Sequence, residues 1–102
     1  MKVKPGANIE HSTPAMIHAR EVTERALNDE DYILVVTSGN DGKHKEDSLH
    51  YENNAEDYRT RHIRDEIIPR IVARIKKELG TNYDVLFEGD HLHIEHDPKG
   101  TK

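Results

Sequence analysis

The chain has no cysteine. That absence excludes disulfides, thiolate zinc sites and cysteine nucleophiles, and it leaves histidine and carboxylate as the good zinc ligands. Aromatic residues are scarce, at four tyrosines and one phenylalanine, and only 33% of the 102 residues are apolar. One small domain with a modest core is therefore expected. Positive charge is not in excess: a net charge of −5 argues against a protein that tracks nucleic-acid phosphates. No apolar run approaches transmembrane length, so no membrane partner is expected. The opening MKVKPGANIEHSTPAM also lacks the apolar stretch of a signal peptide, and the expectation is a chain made in the cytoplasm without its own Sec signal.

What the chain has in quantity is histidine. There are eight: His11, His18, His44, His50, His62, His91, His93 and His96, dispersed through patterned sequence rather than gathered in a tag.

Residues 1–11 carry no periodicity and read as an arm with room for a short edge strand. Residues 12–98 read as a single domain and 99–102 as a tail. Ser12-Thr13-Pro14 is a helix start, a hydroxyl cap followed by proline where a missing N–H costs nothing. Ala15, Met16, Ala19, Val22, Thr23 and Ala26 follow at helical spacing up to Asn28-Asp29. YILVVT, residues 32–37, predicts the central strand. The stretch SGNDGKHKEDSLHYENN is a long polar loop, and residues 55–60 allow a return to strand. Asp65 opens a second predicted helix with Ile68, Ile71, Val72, Ile75 and Leu79 on one face and Gly80 as its stop; Pro69 near its first turn allows a displaced start. NYDVLF and HLHIE form two strands joined by a tight EGD turn. The order predicts an α+β domain, a small antiparallel sheet flanked by two helices.

His91 and His93 lie two apart on a predicted strand and so share a face, either core or cleft. Alone, such a pair reads most simply as two solvated histidines on an exposed strand, and the His50/Asp57 pair is weaker still. Together, His50, Asp57 and His93 offer two nitrogens and one oxygen. That is the ligand count of catalytic zinc sites that keep a fourth position for water. Asp90 and Glu88 stand just before the histidine pair, where a carboxylate could move that water's proton.

These residues resemble a family. Ser48-Leu49-His50, followed through Asp57 by Asp90-His91-Leu92-His93, is similar to the S-x-H-x(6)-D and later H-x-H motifs of the zinc peptidases grouped with lysostaphin, the D-Ala-D-Ala metallopeptidases and the hedgehog domain. The resemblance spans roughly residues 32 to 97. It implies a zinc site in the cleft of the sheet, with His50, Asp57 and His93 as metal ligands. It implies Asp90 as the acid/base, Glu88 as its understudy, His91 as the hydrogen bond to the oxyanion, and His44 lining the cleft. The implied cofactor is Zn2+ and the implied substrate a peptidoglycan stem peptide, cut as a D-Ala-D-Ala carboxypeptidase or an endopeptidase cuts it. A phage lysis or virion protein that reaches the wall by other means would suit a chain without a Sec signal.

Two departures stand out. Asn53 occupies a position where these peptidases often have glycine, and asparagine tolerates left-handed backbone angles. Ser38-Gly39 is followed by Asn40-Asp41, so the arginine of the S-G-x-R pattern is missing; Arg59 or Arg61 could substitute but read first as surface charges. The missing arginine keeps a second reading open, a non-catalytic, hedgehog-like module in which zinc only stabilises a protein-binding domain. A histidine-rich domain without metal is the third. His11, His18 and His62 have no partners at ligand spacing and read as solvated; His96 continues an H-x-H-x-x-H series that could take adventitious metal, but it reads first as facing solvent.

Overall fold

Thr13 caps the first helix as the sequence suggests. Its Oγ1 accepts a hydrogen bond from the Met16 amide at 3.3 Å, Pro14 follows in the first turn, and α1 runs Pro14–Asn28. The helix buries Met16, Ala19, Val22, Thr23, Ala26 and Leu27. The Thr23 hydroxyl donates to the Ala19 carbonyl at 2.8 Å, which lets a polar side chain sit within that apolar stripe.

The second helix, α2, runs Ile68–Leu79, so it begins after Asp65 rather than at it. A turn occupies residues 65–67, and Pro69, which has no N–H to donate, falls in the first helical turn where none is needed. Ile68, Ile71, Ile75 and Leu79 are buried, Val72 packs partly against them, and Gly80 ends the helix at φ 78°.

The computed structural model describes residues 1–39 and 54–98. Within them the two helices accompany five strands, β1 (Lys2–Val3), β2 (Val35–Ser38), β3 (Ala55–Arg59), β4 (Tyr83–Phe87) and β5 (His91–His96). The sheet order is β1-β2-β3-β5-β4. The fold is α+β with two helices, but the sheet is mixed rather than purely antiparallel. The first residues of the chain add β1 parallel to β2, with Lys2 opposite Val35. The YILVVT run supplies β2 only from Val35 onward and lies second in the sheet. The centre is the more polar β3, antiparallel to both β2 and β5.

Alternation along the strands gives the sheet two unlike faces. Val36, Tyr58, Val85, Leu92 and Ile94 point into one core with the buried residues of both helices. Thr37, Asp57, Arg59, His91, His93 and Glu95 alternate with them and are only half-buried, so they belong to the opposite, polar face. No helix among the described residues is long and apolar enough to cross a membrane.

Candidate functional site

The register of β3 against β5 builds the polar face. Asp57 stands directly opposite His93, and Arg59 directly opposite His91. Directly opposed side chains in an antiparallel pair are close enough to interact. Asp57 Oδ1 lies 2.8 Å from His93 Nδ1, while His93 Nε2 lies 2.8 Å from Glu95 Oε1. The imidazole is thus held between two carboxylates with only 15% of its side chain exposed. Those bonds, the one to Asp57 foremost, outweigh burial and raise the His93 pKa from 6.5 to about 9.

His91, on the same face, bonds through Nδ1 to Asp90 Oδ1 at 2.7 Å. Asp90 is exposed at the β4–β5 turn, and the His91 bond together with nearby Arg61 keeps its pKa below the ordinary carboxylate value, though partial desolvation opposes them. The other ring nitrogen, Nε2, lies 3.7 Å from Glu88 Oε1, beyond hydrogen-bond reach. The turn itself is fixed by Gly89 at φ 89° and by the Thr60 amide donating to the Asp90 carbonyl at 3.1 Å.

Beside these residues a cavity of about 240 Å³ is lined by Lys4, Thr37, Asp57, Arg59, Arg61, Asp90 and His91. Arg59 and Arg61 are therefore more than scattered surface charges, because both face the same opening as Asp57 and His91.

The reverse side of β3 explains how Asp57 is held. Glu56 and Tyr58, its chain neighbours, point into the core and are 1% and 0% exposed. Glu56 accepts two bonds from Arg20, Nε to Oε1 at 3.0 Å and Nη2 to Oε2 at 2.7 Å. It also accepts from Ser12 Oγ at 2.7 Å and from the Tyr58 hydroxyl at 2.9 Å. Each carboxylate oxygen is thereby satisfied twice, which is what a buried charge requires. Burial, with the Glu56 charge, pushes the Tyr58 hydroxyl well above its ordinary pKa, while the Glu56 bond raises that of Arg20. Thr13 Oγ1 donates to Asn54 Oδ1 at 2.8 Å, fixing the start of α1 beside the residue that leads into β3.

Of the sequence-predicted ligands, Asp57 and His93 come together, whereas His50 lies outside the described residues, as do His44, Ser48 and Asn53. Asp90 and His91 are adjacent and bonded, with Glu88 close by. His62 is exposed and its Nε2 lies 2.8 Å from the Ile33 carbonyl, a tether rather than a ligand position. His96 is half-buried against the Tyr83 ring, at 4.9 Å between centroids, instead of simply solvated.

Among the described residues, the group of three ligand atoms within 4.8 Å of one another is Asp84, Glu95 and Asp97. It is all carboxylate, a donor set that suits hard cations better than zinc.

Sequence reasoning missed Glu95 and Lys4. Glu95 was within reach of the same argument that paired His91 with His93, being two residues further along the strand. Lys4 had no such signal, since its place beside the cavity depends on β1 joining the sheet.

No family model, curated protein or solved structure matches the chain.

Proposed function

We propose that this chain is a zinc-dependent peptidase acting on the stem peptides of bacterial peptidoglycan, in the manner of a D-Ala-D-Ala carboxypeptidase. The observation that carries the reading is the facing pair on the polar face of the sheet, Asp57 Oδ1 and His93 Nδ1 at 2.8 Å. Two donors that each lie about 2.0–2.2 Å from one small cation must be close neighbours, and this pair already is. The chemistry of the set also fits. Asp57 offers an anionic oxygen, and a neutral His93 with Nε2–H directed at Glu95 presents the Nδ1 lone pair toward Asp57. His50 would supply the third ligand that the motif resemblance implies.

Zinc bound there supplies Lewis acidity and a water of near-neutral pKa. Asp90, kept ionised by the His91 bond, is suited to take a proton from the attacking water. With Nδ1–H given to Asp90, His91 donates through Nε2 to a developing oxyanion only when its ring carries both protons. A carboxylate with a lowered pKa is a poor donor to a leaving amine, and His91, 2.7 Å away, is placed to share that second transfer.

The test is mass spectrometry of purified muropeptides after incubation with protein purified without a histidine tag. Wild type should shorten the stem peptide, whereas Asp90→Ala should keep its zinc and lose cleavage. Undiminished cleavage by that variant would transfer the acid/base role to Glu88.

A second reading has one specific feature in its favour, the Asn40-Asp41 that follows Ser38-Gly39 where the peptidases often place arginine. It is the zinc-stabilised, non-catalytic protein-binding module. Wild type that binds zinc yet leaves every muropeptide intact would choose it over the peptidase.

A further inference from the structure

The sheet ends in two strands that differ in kind, β1 and β4. β1 is blunted against further pairing: it is two residues long, carries Lys2, and is followed by Lys4 and Pro5. β4 has none of these devices. Its five residues, YDVLF, contain no lysine, proline or glycine, and they pair with β5 in unbroken register from Tyr83 to Phe87. Two backbone bonds fix which way its polar groups point. The Glu88 amide donates to the His91 carbonyl at 2.9 Å and the Asp97 amide to the Asn82 carbonyl at 2.8 Å, so the even-numbered residues along β4 bond to β5. The N–H and C=O groups of Tyr83, Val85 and Phe87 are therefore turned to the outer side, where no strand lies among the described residues.

The side chains add apolar surface and one sign of charge. Leu86 and Phe87 are exposed, Leu86 on the polar face opposite His93 and Phe87 on the core side opposite Leu92. Asp84 and Glu88 flank Leu86 on its face, and Asp84 stands with Glu95 and Asp97 in the group of carboxylates within 4.8 Å of one another. We infer that the outer edge of β4 receives an extended, basic segment of another protein as a sixth, antiparallel strand. Backbone bonds to Tyr83, Val85 and Phe87 hold such a segment, while lysine or arginine opposite Asp84 and Glu88 and an apolar residue opposite Leu86 select it. Charge favours this occupant over a second copy. Pairing β4 with itself about Leu86 sets Asp84 against Glu88, pairing about Val85 sets Asp84 against Leu86, and each copy brings the same carboxylates and a net charge of −5.

The surface needs neither metal nor cleavage, so it is tested with the full chain in EDTA. The probe is a fluorescein-labelled hexapeptide amide, Lys-Val-Leu-Thr-Lys-Val, which sets its lysines opposite Glu88 and Asp84 and its leucine opposite Leu86. Fluorescence anisotropy should show saturable binding, about tenfold tighter than for the twin with glutamate in place of both lysines. Hydrogen exchange read by NMR should slow at the Tyr83, Val85 and Phe87 amides on binding. N-methylating the peptide's second and fourth residues, whose N–H groups meet β4, should abolish binding, whereas methylating its third and fifth should leave most of it. Glu88→Lys should weaken the lysine peptide several-fold and favour a peptide whose first residue is glutamate. Absent binding, equal binding of the lysine and glutamate peptides, or protection that avoids those three amides would each overturn the inference. So would self-association in sedimentation that protects the same amides without peptide, which would give the edge to a second copy.

Discussion

Asp57 and His93 are 36 residues apart in sequence and directly opposed in the sheet, with a carboxylate oxygen and a ring nitrogen 2.8 Å apart. Their chain neighbours Glu56, Tyr58, Leu92 and Ile94 are all buried, so the backbone on either side of each residue is pinned in the core. The pair is thus a rigid two-donor unit presented on the polar face, the kind of support a preorganised site needs.

Metal analysis should find about one zinc per chain in protein purified without a tag. Asp57→Ala and His93→Ala should each abolish it, and so should His50→Ala, if the three act as one ligand set. Zinc retained by His50→Ala would detach that loop residue from the pair. Zinc absent from wild type would remove the metal altogether.

In the metal-free protein His93 should titrate near pH 9 instead of 6.5, held up chiefly by the bond to Asp57. A pKa raised on folding means that the folded state binds the proton more tightly. The stability gained is complete below about pH 6.5 and is lost as pH climbs through about 9. The melting temperature in EDTA should therefore fall over that window, and His93→Gln should flatten the fall. With zinc the dependence inverts, because the ion must displace this proton. Apparent affinity should then rise roughly tenfold per pH unit up to that pKa. A slope near zero would place the metal elsewhere.

The parts of this arrangement that obey local periodicity were readable in the sequence. His91 and His93 share a face because strands have period 2, and Thr13-Pro14 starts a helix because a hydroxyl cap before proline has few other uses. What depended on distant partners was not. Glu56 looks solvent-exposed from its type, and it takes Arg20, 36 residues earlier, with Ser12 and Tyr58, to make its burial tolerable. For the same reason the β-branched YILVVT run looked more central than β3, whose core face carries that carboxylate. Two residues are too few to show a period, so β1 became visible only through its pairing with Val35 and Val36.

Gly39 marks a close approach that no other residue would permit. A Cβ there would lie 2.2 Å from the Asn8 carbonyl oxygen, a backbone atom that cannot swing aside. Gly39→Ala should destabilise the fold by about 1–3 kcal/mol, the usual cost of forcing extra volume into a packed position. Chemical denaturation gives the value directly. A neutral result would mean that the segment around Asn8 shifts freely, and would loosen the link between residues 5–9 and the end of β2.

Arg20 and Glu56 should prove the most sensitive pair in the chain. Their side chains are 14% and 2% exposed, and the bidentate contact between them is backed by Ser12 and Tyr58. Removing one partner from a buried ion pair leaves the other charge desolvated, at a cost of about 3–5 kcal/mol. Arg20→Met should therefore lower the melting temperature by about 12 °C or more, a large share of the stability a domain this small commands. Replacing both residues with leucine removes the stranded charge and should recover much of the loss. The same variants report on the polar face. If the network holds β3 in place, Arg20→Met should weaken zinc binding by Asp57 and His93 even at temperatures where the protein is still folded. Unchanged zinc affinity in a folded Arg20→Met protein would confine the network to stability alone.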